Sequence, residues 1–355
     1  MVIMIDSEFW NNKKVFLTGH TGFKGSWLSI WLKKLNVNLK GYSLSPNTED
    51  NLFEICDLKS KMNSVIGDIR NYNQLKDEIL NFEPEIVIHM AAQPLVRYSY
   101  ENPIETYSTN VMGTLNLLDI CKNCKSIKSI LVITTDKCYE NIEIKRGYSE
   151  SDPMGGYDPY SSSKGCCELL VSSFRRSYFN KNKSPGIATA RAGNVVGGGD
   201  WSKDRLLPDI LQSFKDQKEI KIRNPKAIRP WQHVLEPLSA YLILTEMLYK
   251  HGDKFSGPWN FGPYFSNCKS VEDITKYIQK KLGGDIDIVI DSSENPHEAN
   301  LLMLDIKKAI NNLEWKPKMN INNTIDLVLD WYKSWLLGKN MLNKCSDEID
   351  YYLTL

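Results

Sequence analysis

Short apolar runs alternate with helical patterns along the first half of the chain. The runs predict strands over residues 13–18, 39–44, 63–69, 85–90, 129–133 and 186–191. Between them, apolar residues at helical spacing predict helices over residues 26–35, 72–82, 106–124 and 161–170. Strands that alternate with helices in this way are typical of an α/β fold with a doubly wound parallel sheet of the Rossmann type.

The pattern changes after Arg191. A glycine-rich loop comes first, and the elements predicted after it span residues 206–215, 219–223, 259–263, 271–282 and 322–337. We therefore expect a dinucleotide-binding domain over residues 12–192 and a smaller C-terminal substrate-binding lobe over 193–337, part of which returns to the sheet. Residues 338–355 carry no recognisable motif and are expected to form a C-terminal tail.

A glycine turn joins the first predicted strand to the first helix. It contains Gly19, Thr21, Gly22, Phe23, Lys24 and Gly25. Glycines let the backbone approach a pyrophosphate, which the free N–H groups at the helix start can bind. The spacing is G-x-x-G-x-x-G rather than G-x-G-x-x-G, and a tight turn without a ligand is the alternative. After the second strand no carboxylate occurs until Glu49, so the ribose site leaves NAD and NADP both open.

Other strand ends favour a bound dinucleotide. Asp68 ends the third strand, where it either accepts a hydrogen bond from an adenine amino group or caps the helix over 72–82. Ala91 and Ala92 follow the fourth strand, and their small side chains allow a flat cofactor to lie against the backbone. On that strand, His89 is expected to be a hydrogen-bonded histidine of the core.

The stretch from the fifth strand to the next helix carries the candidate chemistry. Tyr160 and Lys164 are four residues apart, so they share one face of a helix. A nearby ammonium stabilises a phenolate and lowers the pKa of the phenol. A tyrosine tuned in this way takes a proton from a sugar or alcohol hydroxyl near neutral pH. The isolated pair is common by chance, but here it follows a dinucleotide-type start.

Charged residues extend this candidate site. Asp136 and Lys137 directly follow the fifth strand, and ligands of open parallel sheets bind at such carboxyl ends. A mutual salt bridge is the alternative role for this pair. Beyond the sixth strand, Arg205, Arg223 and Arg229 are suited to bidentate contacts with phosphate.

The composition narrows the classes of function. The net charge of +1 indicates neither a nucleic-acid partner nor a membrane partner. No apolar run approaches the ~20 residues of a membrane span. Residues 1–12 lack a signal-peptide pattern, so we expect a cytoplasmic protein. The eight cysteines include no second pair at zinc-ligand spacing, which favours reduced thiols and no metal.

Eight segments together carry a resemblance to a known family. They span residues 18–28, 89–97, 109–114, 135–139, 158–165, 191–201, 229–237 and 296–299. The chain resembles the extended short-chain dehydrogenase/reductase family of nucleotide-sugar enzymes over about residues 12–335, and within it the branch of CDP-glucose 4,6-dehydratases. Related dTDP-glucose and GDP-mannose dehydratases carry a glutamate, preceded by a short polar or acidic residue, where this chain has Asp136 and Lys137. The identity of the C5 base therefore stays open.

The resemblance implies that NAD and CDP-glucose bind and that CDP-4-dehydro-6-deoxy-D-glucose and water form, in deoxysugar biosynthesis for surface lipopolysaccharide. It implies that Tyr160 takes the 4-hydroxyl proton beside Thr135, and that Lys164 holds the ribose. Lys137 would then act on C5 and Asp136 on the departing 6-hydroxyl. The implied cofactor contacts are Gly19, Thr21, Gly22, Phe23, Lys24, Gly25, Asp68, Ile69, Ala91, Ala92, Gln93, Asn110, Thr134, Tyr160 and Lys164. The implied substrate contacts are Arg97, Asn194, Arg205, Arg223, Arg229 and His297.

The resemblance also implies an assembly and leaves alternatives. It implies a homodimer or a tetramer, formed through the helices that start near Thr106 and Tyr160. An NAD-dependent nucleotide-sugar epimerase or reductase is the first alternative, and it would leave Asp136 and Lys137 without a role. A non-catalytic NAD-binding protein is the second, and it is disfavoured because the site residues are intact.

Overall fold

A computed structural model describes residues 5–180, 184–283, 286–291 and 301–355. Within these ranges the strands are β1 (Lys14–Thr18), β2 (Asn38–Ser43), β3 (Asn63–Ile66), β4 (Ile86–His89), β5 (Ser129–Ile133), β6 (Gly186–Arg191), β7 (Val195–Val196), β8 (Ile220–Ile222), β9 (Ile228–Arg229), β10 (Gln232–His233), β11 (Gly257–Asn260), β12 (Lys269–Ser270) and β13 (Ile288–Ile290). The α-helices are α1 (Ser7–Trp10), α2 (Phe23–Lys34), α3 (Leu52–Ile55), α4 (Tyr72–Phe82), α5 (Val96–Glu101), α6 (Pro103–Tyr107), α7 (Gly113–Cys121), α8 (Pro159–Ser177), α9 (Leu206–Lys215), α10 (Leu235–His251), α11 (Val271–Leu282), α12 (Lys307–Leu313), α13 (Ile321–Leu336) and α14 (Met341–Thr354).

The central sheet confirms the predicted fold class. Its seven strands run in the order β11-β6-β5-β4-β1-β2-β3, and every neighbouring pair is parallel. The order reverses direction between β1 and β4, which is the doubly wound arrangement that binds ligands at its carboxyl edge. The edge strand β11 comes from the part of the chain after Arg191.

Both faces of the sheet are covered because successive side chains of a strand point to opposite sides. In β1, Val15 and Leu17 belong to one hydrophobic cluster and Phe16 to another. Helices α2 and α10 pack on the first side, and α4, α7 and α8 pack on the second.

Local capping corrects two sequence predictions. The side chain of Asn71, not that of Asp68, accepts the hydrogen bond that caps α4, so the predicted capping role of Asp68 is wrong. Asp158 caps α8 by accepting from the backbone of Ser161, and the helix therefore begins at Pro159. Tyr160 consequently lies inside the first turn of α8, one residue after the proline.

The helix predicted over residues 106–124 has different limits. It begins at Pro103, passes through a π-helical segment at Ser108–Met112, and ends at Cys121. The π segment carries Asn110, which is almost fully buried. Such wide turns occur often at functional sites, and this one lies beside the carboxyl edge of the sheet.

The predicted tail is an ordered helix, α14. Tyr352 packs edge-on against Trp31 of α2, with ring centroids 5.9 Å apart. Its hydroxyl donates to Glu236 on α10 at 2.8 Å, and that carboxyl also accepts from the backbone N–H of Met319. The sequence pattern missed this helix because its stability comes from contacts with distant elements rather than from a recognisable motif.

Candidate active site

A cavity of about 630 Å³ lies at the carboxyl edge of the central sheet. It brings together residues that were predicted from separate motifs: Phe23, Lys24, Arg97, Thr135, Lys137, Tyr160, Asn194, Arg205, Arg223 and Arg229. The sheet side contributes the residues up to Tyr160, and the chain after Arg191 contributes the others. His297 lies outside the described residues.

Tyr160 lies at the inner end of the cavity. Burial raises the pKa of its phenol above the ordinary value, and a hydrogen bond with the Thr135 side chain opposes that rise. The ammonium of Lys164 donates to the carbonyl of Ile133 at 3.0 Å. The expected lowering of the Tyr160 pKa by Lys164 is not found in this structure, because burial outweighs the neighbouring groups and Thr135 supplies the opposing contact.

Asp136 is fully buried beneath this site. Its Oδ1 accepts from the Thr135 hydroxyl at 3.1 Å and from the Lys137 ammonium at 3.3 Å. Among the described residues, its Oδ2 has no hydrogen-bond partner. The salt bridge considered for Asp136 and Lys137 is therefore made, but it lies within the cavity wall, where Lys137 remains one-third exposed.

Gly193 makes room for this carboxyl group. A Cβ atom at Gly193 would lie 1.8 Å from Asp136 Oδ2, which is far inside van der Waals contact. Any other residue at this position would push the carboxyl group away from its buried place. The position of the Asp136 carboxyl group, just after β5, thus requires a glycine after β6.

The glycine turn packs against the end of β4. Gly19 has a φ of +76°, and a Cβ there would lie 2.7 Å from the backbone N of Ala91. A Cβ on Gly25 would lie 2.0 Å from the carbonyl oxygen of Gly19. Helix α2 begins with Gly22 as its N-cap, which supplies no side-chain hydrogen bond. The first N–H groups of α2 can therefore bind an anion such as a pyrophosphate.

Two other predicted cofactor residues of the glycine turn have different positions: Lys24 lines the cavity, whereas Thr21 supports the turn from behind. Lys24 lines the cavity, and burial lowers its pKa to about 7, with Arg205 and Lys164 adding repulsion. Thr21 hydrogen-bonds to Ser43 and to the carbonyl of Leu44, so it ties the glycine turn to the end of β2.

Asn110 and Gln93 form a buried support next to Ala91 and Ala92. The Asn110 amide donates to the Gln93 carbonyl at 3.1 Å and to Ser163 of α8 at 2.8 Å. It also accepts from the Gln93 backbone N–H at 2.8 Å. These contacts hold the segment after β4 against α8, and so shape the floor on which a flat ring can lie.

At the far edge of the sheet, Asp68 is already engaged. Its carboxylate accepts from the guanidinium of Arg70 at 2.6 Å and from the Arg70 backbone N–H at 2.8 Å. Those hydrogen bonds lower the pKa of Asp68. Ile69 is buried against Gly113, where a Cβ would lie 2.5 Å from its side chain.

The arginines of the outer cavity are paired with two aspartates. Arg205 contacts Asp200 at 2.8 Å, and Asp204 contacts Arg223 at 3.0 Å and Arg97 at 3.7 Å. Sequence reasoning missed both aspartates. The alternation of acidic and basic residues over 200–205 was the available signal.

Two further predicted substrate contacts lie in the same region. Asn194 has a φ of +47°, and its buried Oδ1 has no hydrogen-bond partner among the described residues. Arg229 donates to the carbonyl of Ile228 at 3.1 Å. An unsatisfied buried amide oxygen facing a cavity favours a polar ligand there.

The structure confirms the prediction that His89 is a hydrogen-bonded histidine of the core. His89 accepts or donates hydrogen bonds with Thr18 at 2.7 Å and Thr114 at 3.0 Å, as expected of a core histidine. All eight cysteines are free thiols. Over the described ranges, no helix has the length and apolar content to span a membrane, and no cluster of three metal-binding side chains occurs.

Comparisons with known proteins agree with this geometry. Residues 16–328 match the family described as GDP-mannose 4,6 dehydratase. The CDP-glucose 4,6-dehydratase of Salmonella typhimurium is 52% identical over 355 residues, which cover 99% of each chain. Among solved structures, UDP-glucose 4-epimerase of Thermotoga maritima superimposes with a TM-score of 0.79 at 21% identity, covering 91% of this chain and 99% of its own. The NAD-bound dTDP-glucose 4,6-dehydratase of Streptomyces venezuelae gives 0.78 at 20% identity, covering 92% and 99%.

Proposed function

Because this chain belongs to the GDP-mannose 4,6-dehydratase family, we propose that its cavity converts CDP-glucose to CDP-4-dehydro-6-deoxy-D-glucose and water. The enzyme is an NAD-dependent hydro-lyase. The carrying observation is the buried carboxyl group of Asp136, which lies with Lys137 beside the Thr135–Tyr160 pair. An epimerase that only oxidises and reduces C4 needs no acid and base of this kind for a 6-hydroxyl group.

The residues around the glycine turn fit NAD. The uncapped start of α2 suits the pyrophosphate, and the missing side chains of Gly19 and Gly25 let the turn pack against Ala91 and against itself, which holds that helix start in place. Lys164 would hold the ribose of NAD, and Asn110, which donates to Ser163 on the same helix as Lys164, would support that part of the site. When bound, NAD supplies a hydride acceptor that is regenerated within each turnover.

Tyr160 and its neighbours carry the oxidation step. The Tyr160 phenolate removes the proton of the sugar 4-hydroxyl group. The hydroxyl of Thr135 orients the phenolic oxygen of Tyr160 and the 4-oxygen of the sugar. Burial disfavours the phenolate, and the ammonium of Lys164, which donates one N–H group to the Ile133 carbonyl, has further N–H groups for the ribose and a positive charge that favours the phenolate. Losing this proton acceptor removes the first chemical step.

Asp136 and Lys137 carry the elimination step. The 4-ketone acidifies the C5 hydrogen, and Lys137, one-third exposed in the cavity wall, passes its proton to Asp136 across their 3.3 Å contact and then removes the C5 hydrogen. Asp136 delivers a proton to the departing 6-hydroxyl group, a role that suits a fully buried carboxyl group with one oxygen lacking a protein partner among the described residues. Water then leaves, C6 accepts the hydride, and Lys137 returns a proton to C5.

The outer cavity binds the CDP portion. Arg205, Arg223 and Arg229 lie on the wall formed after β6, and Arg97 lies opposite on α5. The substrate diphosphate replaces Asp200 as the partner of Arg205, and it replaces Asp204 as the partner of Arg223 and Arg97. It does so because it carries more negative charge than a single carboxylate. Asn194 and His297 complete the proposed substrate contacts.

The enzyme is a homodimer in this proposal, and two dimers could form a tetramer. Ile104, Met112 and Leu169 are 85%, 50% and 62% exposed on the elements that begin at Pro103 and Pro159. Apolar side chains clustered on a helical surface favour burial against a second copy. The free thiols fit a reducing cytoplasm.

Light scattering at micromolar concentration tests the dimer. Ile104→Glu is expected to reduce the measured mass to that of one chain, because it introduces a charge into the apolar surface. Leu336→Glu is the control, since Leu336 is 67% exposed on α13, away from that surface. A wild-type mass of one chain would refute the dimer.

Product mass tests the activity itself. The holoenzyme is incubated with glucose linked to CDP, UDP, dTDP or GDP, and the mass of each product is measured by mass spectrometry. Loss of one water from CDP-glucose alone is the expected result. An unchanged mass with altered sugar stereochemistry would identify an epimerase, and a loss of two hydrogens with release of NADH would identify a reductase running in reverse.

A further inference from the structure

Three consecutive residues at the end of β5 are each held by a different turn of α8. Ile133 accepts from Lys164, Thr134 donates to Glu168, and Thr135 hydrogen-bonds to Tyr160. The two outer contacts involve the residues assigned to oxidation. Neither Thr134 nor Glu168 lines the cavity, and no catalytic step uses their contact.

We propose that Glu168 is a positioning residue that fixes the register between α8 and the end of β5. This inference rests on the proposed roles of Tyr160 and Lys164. Glu168 is four residues after Lys164, so both side chains leave the same face of the helix. A shift of the Thr134 contact would therefore displace the Thr135 and Lys164 contacts together.

Buried partners hold Glu168 from several elements. Its carboxylate accepts from Thr189 and from the guanidinium of Arg191, both on β6 and both at 2.7 Å. Glu168 and Arg191 are only 5% and 3% exposed. Arg191 also donates to the hydroxyl of Tyr139 at 2.6 Å.

Stability alone does not account for this ion pair. Removing two charges from water costs free energy that their attraction often only offsets, and apolar side chains of similar size serve as well. A directional pair at this place instead fixes distances among β5, β6 and α8. The hydrogen bond from Thr134 to Glu168 extends that constraint to the chain segment that carries Thr135.

The pair also sets the charge around Lys164. Burial lowers the pKa of the Lys164 ammonium, and the negative charge of Glu168 opposes this effect. The surrounding ionisable groups are Tyr160, Cys167 and Glu168 on α8, Cys138 after β5, Lys24 on α2, His89 on β4 and Arg191 on β6. His89 is neutral near pH 7, because burial lowers its pKa to about 3.

Two variants that change the charge near Lys164 in opposite directions distinguish a specific effect of this ion pair from a general loss of structure. Glu168→Gln removes a negative charge and leaves Arg191 positive, so Lys164 should lose its proton at lower pH. Arg191→Met leaves Glu168 negative, so Lys164 should keep its proton to higher pH. A purely structural defect would move both pH profiles in the same direction or in neither.

The readout is the NADH absorbance formed by the holoenzyme on rapid mixing with CDP-glucose, followed as a function of pH. For Glu168→Gln we expect the alkaline limb to move down by about one pH unit, which is about a tenfold loss of rate on that limb. For Arg191→Met we expect the limb at or above the wild-type position. Thr189→Val retains both charges and should keep the wild-type profile.

Thr134→Val tests the register without changing charge, and it serves if the charge variants fail to fold. It removes the hydrogen bond to Glu168 and should slow NADH formation about tenfold or more, with the wild-type pH profile. A wild-type rate for Thr134→Val, or equal shifts for the two charge variants, would overturn the inference. Such results would leave the loss of water from CDP-glucose intact, so the two proposals fail separately.

Discussion

The inner and outer ends of the cavity are built differently. At the inner end, Tyr160, Thr135 and Asp136 are buried and joined by hydrogen bonds, and Gly193 leaves the carboxyl group its space. At the outer end, Arg205 and Arg223 are partly exposed and paired with Asp200 and Asp204. The first arrangement is fixed before substrate arrives, whereas the second must exchange partners.

This difference follows from the task at each end. Catalytic groups stabilise a transition state best when they need no rearrangement, and burial strengthens their electrostatic effect. Binding groups must admit and release a charged diphosphate, so strong permanent pairing would slow turnover. Partly exposed ion pairs are weak enough to exchange, at about 0–1 kcal/mol each.

The largest expected effect is at the inner end. Tyr160→Phe removes the proton acceptor with little change of volume, so no NADH absorbance should appear on rapid mixing with CDP-glucose. Turnover should fall by at least ~10⁴-fold, the upper end of the usual loss for a general base. C5 should also fail to exchange with heavy water. NADH formation at the wild-type rate would exclude Tyr160 as the acceptor.

Changes at Asp136 and Lys137 should stall the reaction after oxidation. Asp136→Asn and Lys137→Ala leave Tyr160 and Lys164 in place, so bound NADH should accumulate while turnover falls by ~10²–10⁴-fold. Lys137→Ala should also lose deuterium exchange at C5, whereas Asp136→Asn should retain more of it. Wild-type turnover in both variants would favour the epimerase or reductase interpretation.

A smaller effect is expected at the outer end. Arg229→Ala should raise the KM for CDP-glucose by more than about tenfold, equivalent to ~1.4 kcal/mol, because a contact to the diphosphate is lost. Arg229→Lys keeps the charge without the forked geometry and should fall between wild type and alanine. Steady-state kinetics at fixed NAD measures both, and an unchanged KM would remove Arg229 from the binding site.

The smallest change in KM is expected at Asp204, the ion-pair partner that the diphosphate replaces. Asp204→Asn removes the carboxylate that competes with the diphosphate for Arg97 and Arg223, so the KM should fall up to about fivefold, as the strength of an exposed ion pair allows. Asp216→Asn is the control, since Asp216 pairs with Lys218 at the end of α9. A higher KM for Asp204→Asn would mean that Asp204 supports binding instead of competing with it.

Local patterns in the sequence determined most of the sheet and the inner site. Short continuous apolar runs identified β1, β4 and β5, and the four-residue spacing placed Tyr160 and Lys164 on one helical face. Such runs are typical of strands that are buried on both faces, and the repeat of a helix is fixed, so neighbouring residues suffice to reveal both features. Residues over 12–192 and 193–337 were predicted as separate units on the same basis, and that division remains a prediction.

The tertiary structure decided which distant charges meet. The sequence alone identified neither the pairing of Asp204 with Arg97 and Arg223 nor that of Glu168 with Arg191. The packing of α14 on α2 and the capping of α4 by Asn71 instead of Asp68 were likewise settled by three-dimensional contacts. An ion pair or a docked helix depends on where the fold places atoms that are far apart in the chain, and local periodicity carries no information about that distance.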